Sequence, residues 1–334
     1  MRESFVIGRR GAMAGSGLVS LGLRPARAQA LDSISFQTDW RAEAEHGGFY
    51  QAIASGIYKK HGISCDLRMG GPQQNPAQLL LAGRVDTIVS AGIQALNYAR
   101  DNLPFLSVAS IFQKDPQGLM VHSETGIDSF EAMKGKPIMV GVGGRVTYWP
   151  WLRATFGFTD EQLRPYTFNM APFLADRNAV QQAFVTAEPF AVMKAGAHPR
   201  VLLFAEHGFL NYQTTLDTSA KFAADKAEVL QRFLDATMEG WAFYLKGDER
   251  PAADALIRKD NADMEQADVD YAWNALKERG LIQSGDAQTL GIGAMTDERW
   301  HALGESMVKA GVFPAGLDIG KAYTLKFTNR KVGF

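Results

Sequence analysis

Short apolar runs alternate with helix-period stretches through the first two thirds of this 334-residue sequence, and few folds tolerate that alternation. Strand candidates fall at 34–38, 64–68, 87–90, 106–112, 119–122, 137–142, 183–186 and 201–205. Between them lie helical stretches at 75–82, 94–100 and 130–134, and one at 48–61 with Phe49, Ile53 and Ile57 on one face and Gly62 as its C-cap. This pattern predicts an α/β fold with largely parallel sheets and flanking helices. From Lys226 onward the pattern turns helical: Leu230, Phe233, Leu234, Trp241 and Leu245 recur at three- and four-residue spacing, a stripe that reads as core. The length suits two lobes better than one core. No repeat, low-complexity stretch or Pro/Ser-rich linker divides the sequence, so the lobes are expected to be joined by crossing strands near 117–121 and 211–217 that act as a hinge. Lobe 1 is assigned to 31–118 and 215–334, including the helical C-terminal region, and lobe 2 to 119–214.

Residues 1–30 read as an export leader. Arg2, Arg9 and Arg10 precede a Gly-rich apolar run at 12–23, and Ala28-Gln29-Ala30 forms a small-x-small cleavage site. The adjacent Arg9-Arg10 points to the twin-arginine route. A membrane anchor would need about 20 apolar residues, and the run at 12–23 is shorter and interrupted by Gly and Ser. The expected mature protein is soluble and periplasmic. It keeps 30 basic and 35 acidic residues, a balance that argues against nucleic acid or an anionic membrane as partner. Cys65 is the only cysteine, which excludes an intrachain disulfide, and six scattered His offer no metal-ligand spacing. Neither a metal nor a cofactor is expected.

In an open α/β sheet, ligands bind beyond the carboxyl ends of the strands. Several polar and aromatic residues fall at such handovers. Trp40 follows the first strand and offers an indole face for stacking, or else packs as core beneath the loop. His46 precedes Gly47-Gly48, a pair permitting close backbone approach, and as neutral imidazole can donate to or accept from a ring nitrogen; a helix-cap or surface role is the alternative. Tyr50 lies one turn into the helix. Gln73, Gln74 and Asn75 occupy the second handover, and Ser90, Gly92 and Gln94 the third. In lobe 2, Gly141-Val142-Gly143-Gly144-Arg145 opens a helix whose N–H groups suit an anion or a carbonyl. Val146 stands where a dinucleotide fingerprint needs Gly, which argues against a nucleotide. Tyr148, Trp149 and Trp151 crowd the next turn, with Tyr148 or Trp149 expected to face the cleft; Asn169 ends a further strand candidate. Glu188, at a strand end before Pro189, can accept hydrogen bonds from an amino-substituted ring or a cation, or can simply favour the helix start.

Asp39-Trp40, His46-Gly47-Gly48-Phe49-Tyr50 and the run from Gly56 to Ile63 resemble the first segment of the solute-binding proteins of the pyrimidine/sulfonate/nitrate transporter group, the NMT1/THI5-like proteins. Leu79 to Asp86 is similar to the group's second segment, Phe130 to Pro137 to its third, and Thr186-Ala187-Glu188-Pro189-Phe190 to its fourth. The resemblance implies a two-lobed periplasmic-binding-protein fold of type II, an ABC permease as partner, and a monomer. Its thiamine-pyrimidine-like branch implies an aminopyrimidine or related flat heterocycle as the small-molecule ligand. That branch also contains pyrimidine synthases, whose motif places a Lys and then a His after Gly-Lys-Val-Asp. Here Gly83-Arg84-Val85-Asp86 is followed by Ser90 and Gln94. Ser90 cannot form a Schiff base, Gln94 has no imidazole, and the synthases' cysteine cluster is missing, so no enzyme activity is expected. The rival binding readings are a sulfonate- or nitrate-type anion held by the Gly143-Gly144 helix start and Arg145, and an aromatic acid.

Overall fold

Among the described residues, ten strands form two five-stranded sheets built to one plan. In chain order they are β1 (Asp32–Gln37), β2 (Ile63–Arg68), β3 (Thr87–Ala91), β4 (Phe105–Phe112), β5 (Gln117–His122), β6 (Ile138–Val140), β7 (Leu163–Pro165), β8 (Val180–Phe184), β9 (Pro199–Leu203) and β10 (Gln213–Ser219). The computed structural model describes residues 30–71 and 74–332 together with Met1, Glu3 and Ser4. The expected leader falls almost entirely outside these residues, as does Gln73.

The first sheet has the order β2-β1-β3-β10-β4 and the second β7-β6-β8-β5-β9. In the first, β1 is parallel to β2 and β3, while β10 runs antiparallel to β3 and β4. The second repeats this, with β6 parallel to β7 and β8, and β5 antiparallel to β8 and β9. Four strands of each sheet thus share one direction. The reversed strand is in each case the first laid down after the chain crosses from the other sheet. It enters from the side where its neighbours end, so it must run against them. The crossings occupy residues 113–116 and 204–212; the first lies ahead of the expected 117–121, because Gln117 already begins β5.

Most expected strands fall within a few residues of their positions; β8 begins three residues before 183, the strand candidate ending at Asn169 is β7, which stops at Pro165, and the crossing strand expected near 211–217 is β10. The helix expected over 48–61 is two pieces, Gly47–Ala54 and Ile57–Lys60. They break at Gly56, whose φ of 68° is a left-handed value that L side chains resist. The stretch at 130–134 holds only a 3-10 turn, Glu131–Met133.

The helical stripe packs as core. In helix Ala227–Lys246, Leu230, Phe233, Leu234, Trp241 and Leu245 are all buried. This helix lies against Gly47–Ala54 so closely that a Cβ on Gly48 would come within 2.2 Å of the Trp241 ring, and one on Gly240 within 2.4 Å of the Gly48 carbonyl. The approach that Gly47-Gly48 permits is therefore to another helix. Phe49 meets Phe36 and Trp241 edge-on, at 4.8 and 5.5 Å between ring centroids. No described helix is long and apolar enough to cross a membrane.

Candidate functional site

The carboxyl ends of β1, β3, β4, β6, β7 and β8 and the amino ends of the reversed strands β5 and β10 surround one cavity of about 580 Å³. That volume is in the range of small-molecule sites. From the first sheet come Trp40, Ala91, Phe112 and Gln213, and from the second Gln117, Gly141, Tyr166, Phe184 and Glu188. Trp40 is set by a compact turn. The Thr38 hydroxyl donates to the Trp40 carbonyl at 2.8 Å, and the Gly70 N–H donates to the same carbonyl at 3.1 Å. Gly70 has no substitute there, since a Cβ would lie 2.3 Å from the Thr38 carbonyl. Across the cavity, Phe168 packs on Trp40 at 5.1 Å and on Tyr166 at 5.0 Å. Phe168 and Thr214 both line the cavity with left-handed backbone, φ 63° and 53°, strain of the kind that binding sites hold.

Glu188 opens the helix Glu188–Lys194. Its Oε2 accepts the Phe184 N–H at 2.8 Å and its Oε1 accepts the Tyr166 hydroxyl at 3.2 Å. Burial pushes its carboxyl up to about 6, against the pull of those hydrogen bonds. Asp39, Glu43, Glu45 and His46 face the same space. His46 Nε2 lies 3.2 Å from Asp39 Oδ1, whereas its Nδ1 has no partner among the described residues. One carboxylate oxygen of buried Glu45 is likewise without a partner among them. Glu43 is held well above the usual carboxylate range by burial and then by the charges of Glu45, Glu188 and Asp39. Tyr148, buried beside the cavity, donates to Gln182 Oε1 at 2.8 Å; the same oxygen accepts the Gly141 N–H at 2.6 Å. Among the described residues that line the cavity there is no Lys or Arg.

The two crossings are tied to each other behind the cavity. Buried Asp115 accepts the Gln117 N–H at 2.9 Å and the Asn211 amide at 2.7 Å, and Asn211 in turn accepts the Ile93 N–H at 2.9 Å. Arg299 donates to the carbonyls of Gln113, Leu210 and Asn211, so one guanidinium from the C-terminal region holds both segments. Its plane lies 4.1 Å from the Tyr212 ring centroid.

Of the residues singled out from sequence, Trp40, His46, Gly141, Gly143, Gly144, Tyr148 and Glu188 line the cavity. The others do not. Tyr50 is buried in its helix and donates to Asp260 at 2.9 Å. Gln74 is exposed and accepts from the Gln37 amide at 2.9 Å. Ser90 lies within β3 with its hydroxyl buried in the sheet. Gln94 points instead to a second hollow, of about 840 Å³, which Arg100, Arg145 and Arg153 also line. Trp149 is core, its indole donating to Asp160 at 3.0 Å, and Trp151 packs on Phe209. Asn169 is exposed and caps the Ala171 N–H at 2.9 Å. Glu43, Glu45, Tyr166, Phe168 and Asp115 were not singled out. Glu43 and Glu45 stand between Trp40 and His46, where their charge density was open to view; Phe168 carries no sequence signal for its left-handed backbone.

Comparison with known proteins agrees with this architecture. The Escherichia coli aliphatic sulphonate binding protein SsuA superposes with a TM-score of 0.64 at 14% identity, covering 87% of this chain and 92% of that one. The formylaminopyrimidine-binding protein of Halalkalibacterium halodurans is 23% identical over 244 residues, 70% of this chain and 73% of the relative. The 4-amino-5-hydroxymethyl-2-methylpyrimidine phosphate synthase of Aspergillus parasiticus is 29% identical over 117 residues, and that match spans only 34% of the synthase. The fold is that of the periplasmic binding proteins. The sequence profile described as NMT1/THI5 like matches residues 43–250, more than half of the chain, and the protein belongs to that family.

Proposed function

We propose that the chain is an exported solute-binding protein that captures a small flat nitrogen heterocycle between its two sheets and delivers it to an ABC permease in the inner membrane. The observation that carries this reading is the cavity itself: aromatic side chains from both sheets and the fixed carboxylate of Glu188, with no Lys or Arg among its described lining residues. Trp40 and Phe168 supply ring faces, and Glu188 accepts hydrogen bonds from an amino substituent. A ligand touching both sheets binds the closed arrangement better than an open one, and that difference drives closure about residues 113–116 and 204–212. The protein acts as a monomer and in the periplasm.

Two features weigh against the rivals. Arg145, the cation of the anion-binding reading, lines the second hollow, and its Nε donates to the Val140 carbonyl at 3.4 Å. For an enzyme, the described lining residues of the cavity include no Lys for a Schiff base and no thiol. Cys65 lies on β2, where burial pushes its thiol up to about 12. Calorimetry of the full chain with 4-amino-5-hydroxymethyl-2-methylpyrimidine and with methanesulfonate tests the reading. The pyrimidine is expected to bind and the sulfonate not; binding of the sulfonate alone refutes it.

A further inference from the structure

The geometry points to a positively charged ligand: a planar nitrogen heterocycle with a fixed or proton-borne cationic centre, held by aromatic faces and balanced by Glu43, Glu45 and Glu188. This inference rests on the heterocycle reading above and adds the sign of the ligand's charge. The cavity is lined by six carboxylates, and three of them are already answered by the protein. Asp39 meets His46 at 3.2 Å, Asp268 meets Lys194 at 2.8 Å, and Asp115 meets the Asn211 amide at 2.7 Å within the field of the Arg299 charge. Glu43, Glu45 and Glu188 have no cationic partner among the described residues.

Glu188 has two hydrogen-bond donors but no opposite charge. Glu45 is only 9% exposed and keeps one buried oxygen, and His46, 4% exposed, keeps its Nδ1, without a hydrogen-bond partner among the described residues. Buried polar atoms left unpaired are costly, and a buried carboxylate without a cation more so. These groups share a space walled by Trp40, Tyr148, Tyr166, Phe168, Phe184 and Phe190. Aromatic faces attract a desolvated cation through the ring quadrupole, so walls and carboxylates favour the same ligand charge. A neutral aminopyrimidine would satisfy hydrogen bonds at Glu188 and leave Glu45 and Glu188 without an opposite charge on closure.

The test is calorimetry of the full chain at pH 7.5 with two probes of nearly one shape, neutral 4-amino-2-methylpyrimidine and its N1-methylpyrimidinium cation. The cation is expected to bind at least about tenfold more tightly. Glu188→Gln and Glu45→Gln, which keep side-chain volume, are each expected to shrink that preference, with thermal unfolding confirming that both variants fold. Equal binding, or tighter binding of the neutral ring, overturns the charge inference and leaves the heterocycle reading standing. Binding of neither probe overturns both.

Discussion

The Trp40 indole, on the turn after β1, packs against the Phe168 ring, beyond β7, with centroids 5.1 Å apart and planes inclined by 43°. One side chain comes from each half of the molecule, and Phe168 is 53% exposed, so the pair sits at the rim of the cavity. Phe168 continues to Tyr166, and the Tyr166 hydroxyl to Glu188. A row of three aromatic rings thus ends on the carboxylate of the opposite wall.

Removing the first ring of that row should act on binding before it acts on folding. Trp40 is only half-buried, whereas the large buried side chains lie elsewhere. Trp40→Ala is expected to weaken aminopyrimidine binding at least about tenfold, or ~1.4 kcal/mol. Its urea midpoint should stay close to that of the parent. Calorimetry and urea titration check the two halves; unchanged affinity would place the indole outside the binding surface.

Glu188 makes binding depend on pH. Its carboxyl is raised to about 6, chiefly by burial. The ionised form is the one that accepts from an amino group or a cation, so affinity for the N1-methylpyrimidinium probe, whose charge is fixed, should fall as pH drops from 7.5 to 5. Asp39, Glu43, Glu45, His46, Tyr148 and Tyr166 share its surroundings, and Glu43 is displaced in the same direction. Glu188→Gln should bind more weakly at pH 7.5 and show a flatter profile than the parent. A parent affinity that rises toward pH 5 would contradict this.

Arg299 holds the carbonyls of both crossing segments. Arg299→Met keeps much of the stem but leaves those acceptors without a donor, at about 1–3 kcal/mol for each buried group left unsatisfied. Urea unfolding should show a loss of at least about 2 kcal/mol. Small-angle scattering of the unliganded variant should show a larger radius of gyration if the clamp also restrains opening. Wild-type stability in the variant would remove Arg299 from this role.

Asp217 is buried in β10, an inner strand of its sheet, accepts from the Ser107 hydroxyl at 2.6 Å, and its carboxyl is raised from 3.8 to about 6 by burial. A carboxyl raised by folding costs nothing below about pH 4, where folded and unfolded chains both hold the proton. Stability is lost as pH rises through 4 to 6, by about 3 kcal/mol in total. Asp217→Asn should therefore gain stability relative to the parent at pH 7.5 and not at pH 4. Denaturant titrations at the two pH values measure the difference.

The alternation of strands and helices was legible because apolar runs mark strands whichever way they run. The reversed direction of β10 was not. Its sequence, Gln-Thr-Thr-Leu-Asp-Thr-Ser, is mostly polar, yet it is buried between β3 and β4, where the Ser107 hydroxyl donates to Asp217 and the Asp86 carbonyl accepts from Thr218. Edge strand β7 spans three residues and carries almost no pattern. At the site, Trp40 and Glu188 were found from their places after strands. The same reasoning failed for Tyr50 and Gln94, because their helices turn Tyr50 toward Asp260 and Gln94 toward the second hollow. Phe168 and Asp115 depend on contacts between segments far apart in sequence, which no local pattern encodes.

A crystal structure of the full chain grown with 4-amino-5-hydroxymethyl-2-methylpyrimidine tests the central claim most directly. The account predicts the ring inside the cavity, stacked on Trp40 and donating from its amino group to Glu188. A ring bound elsewhere, or a cavity in which either side chain turns away from the ligand, would contradict it.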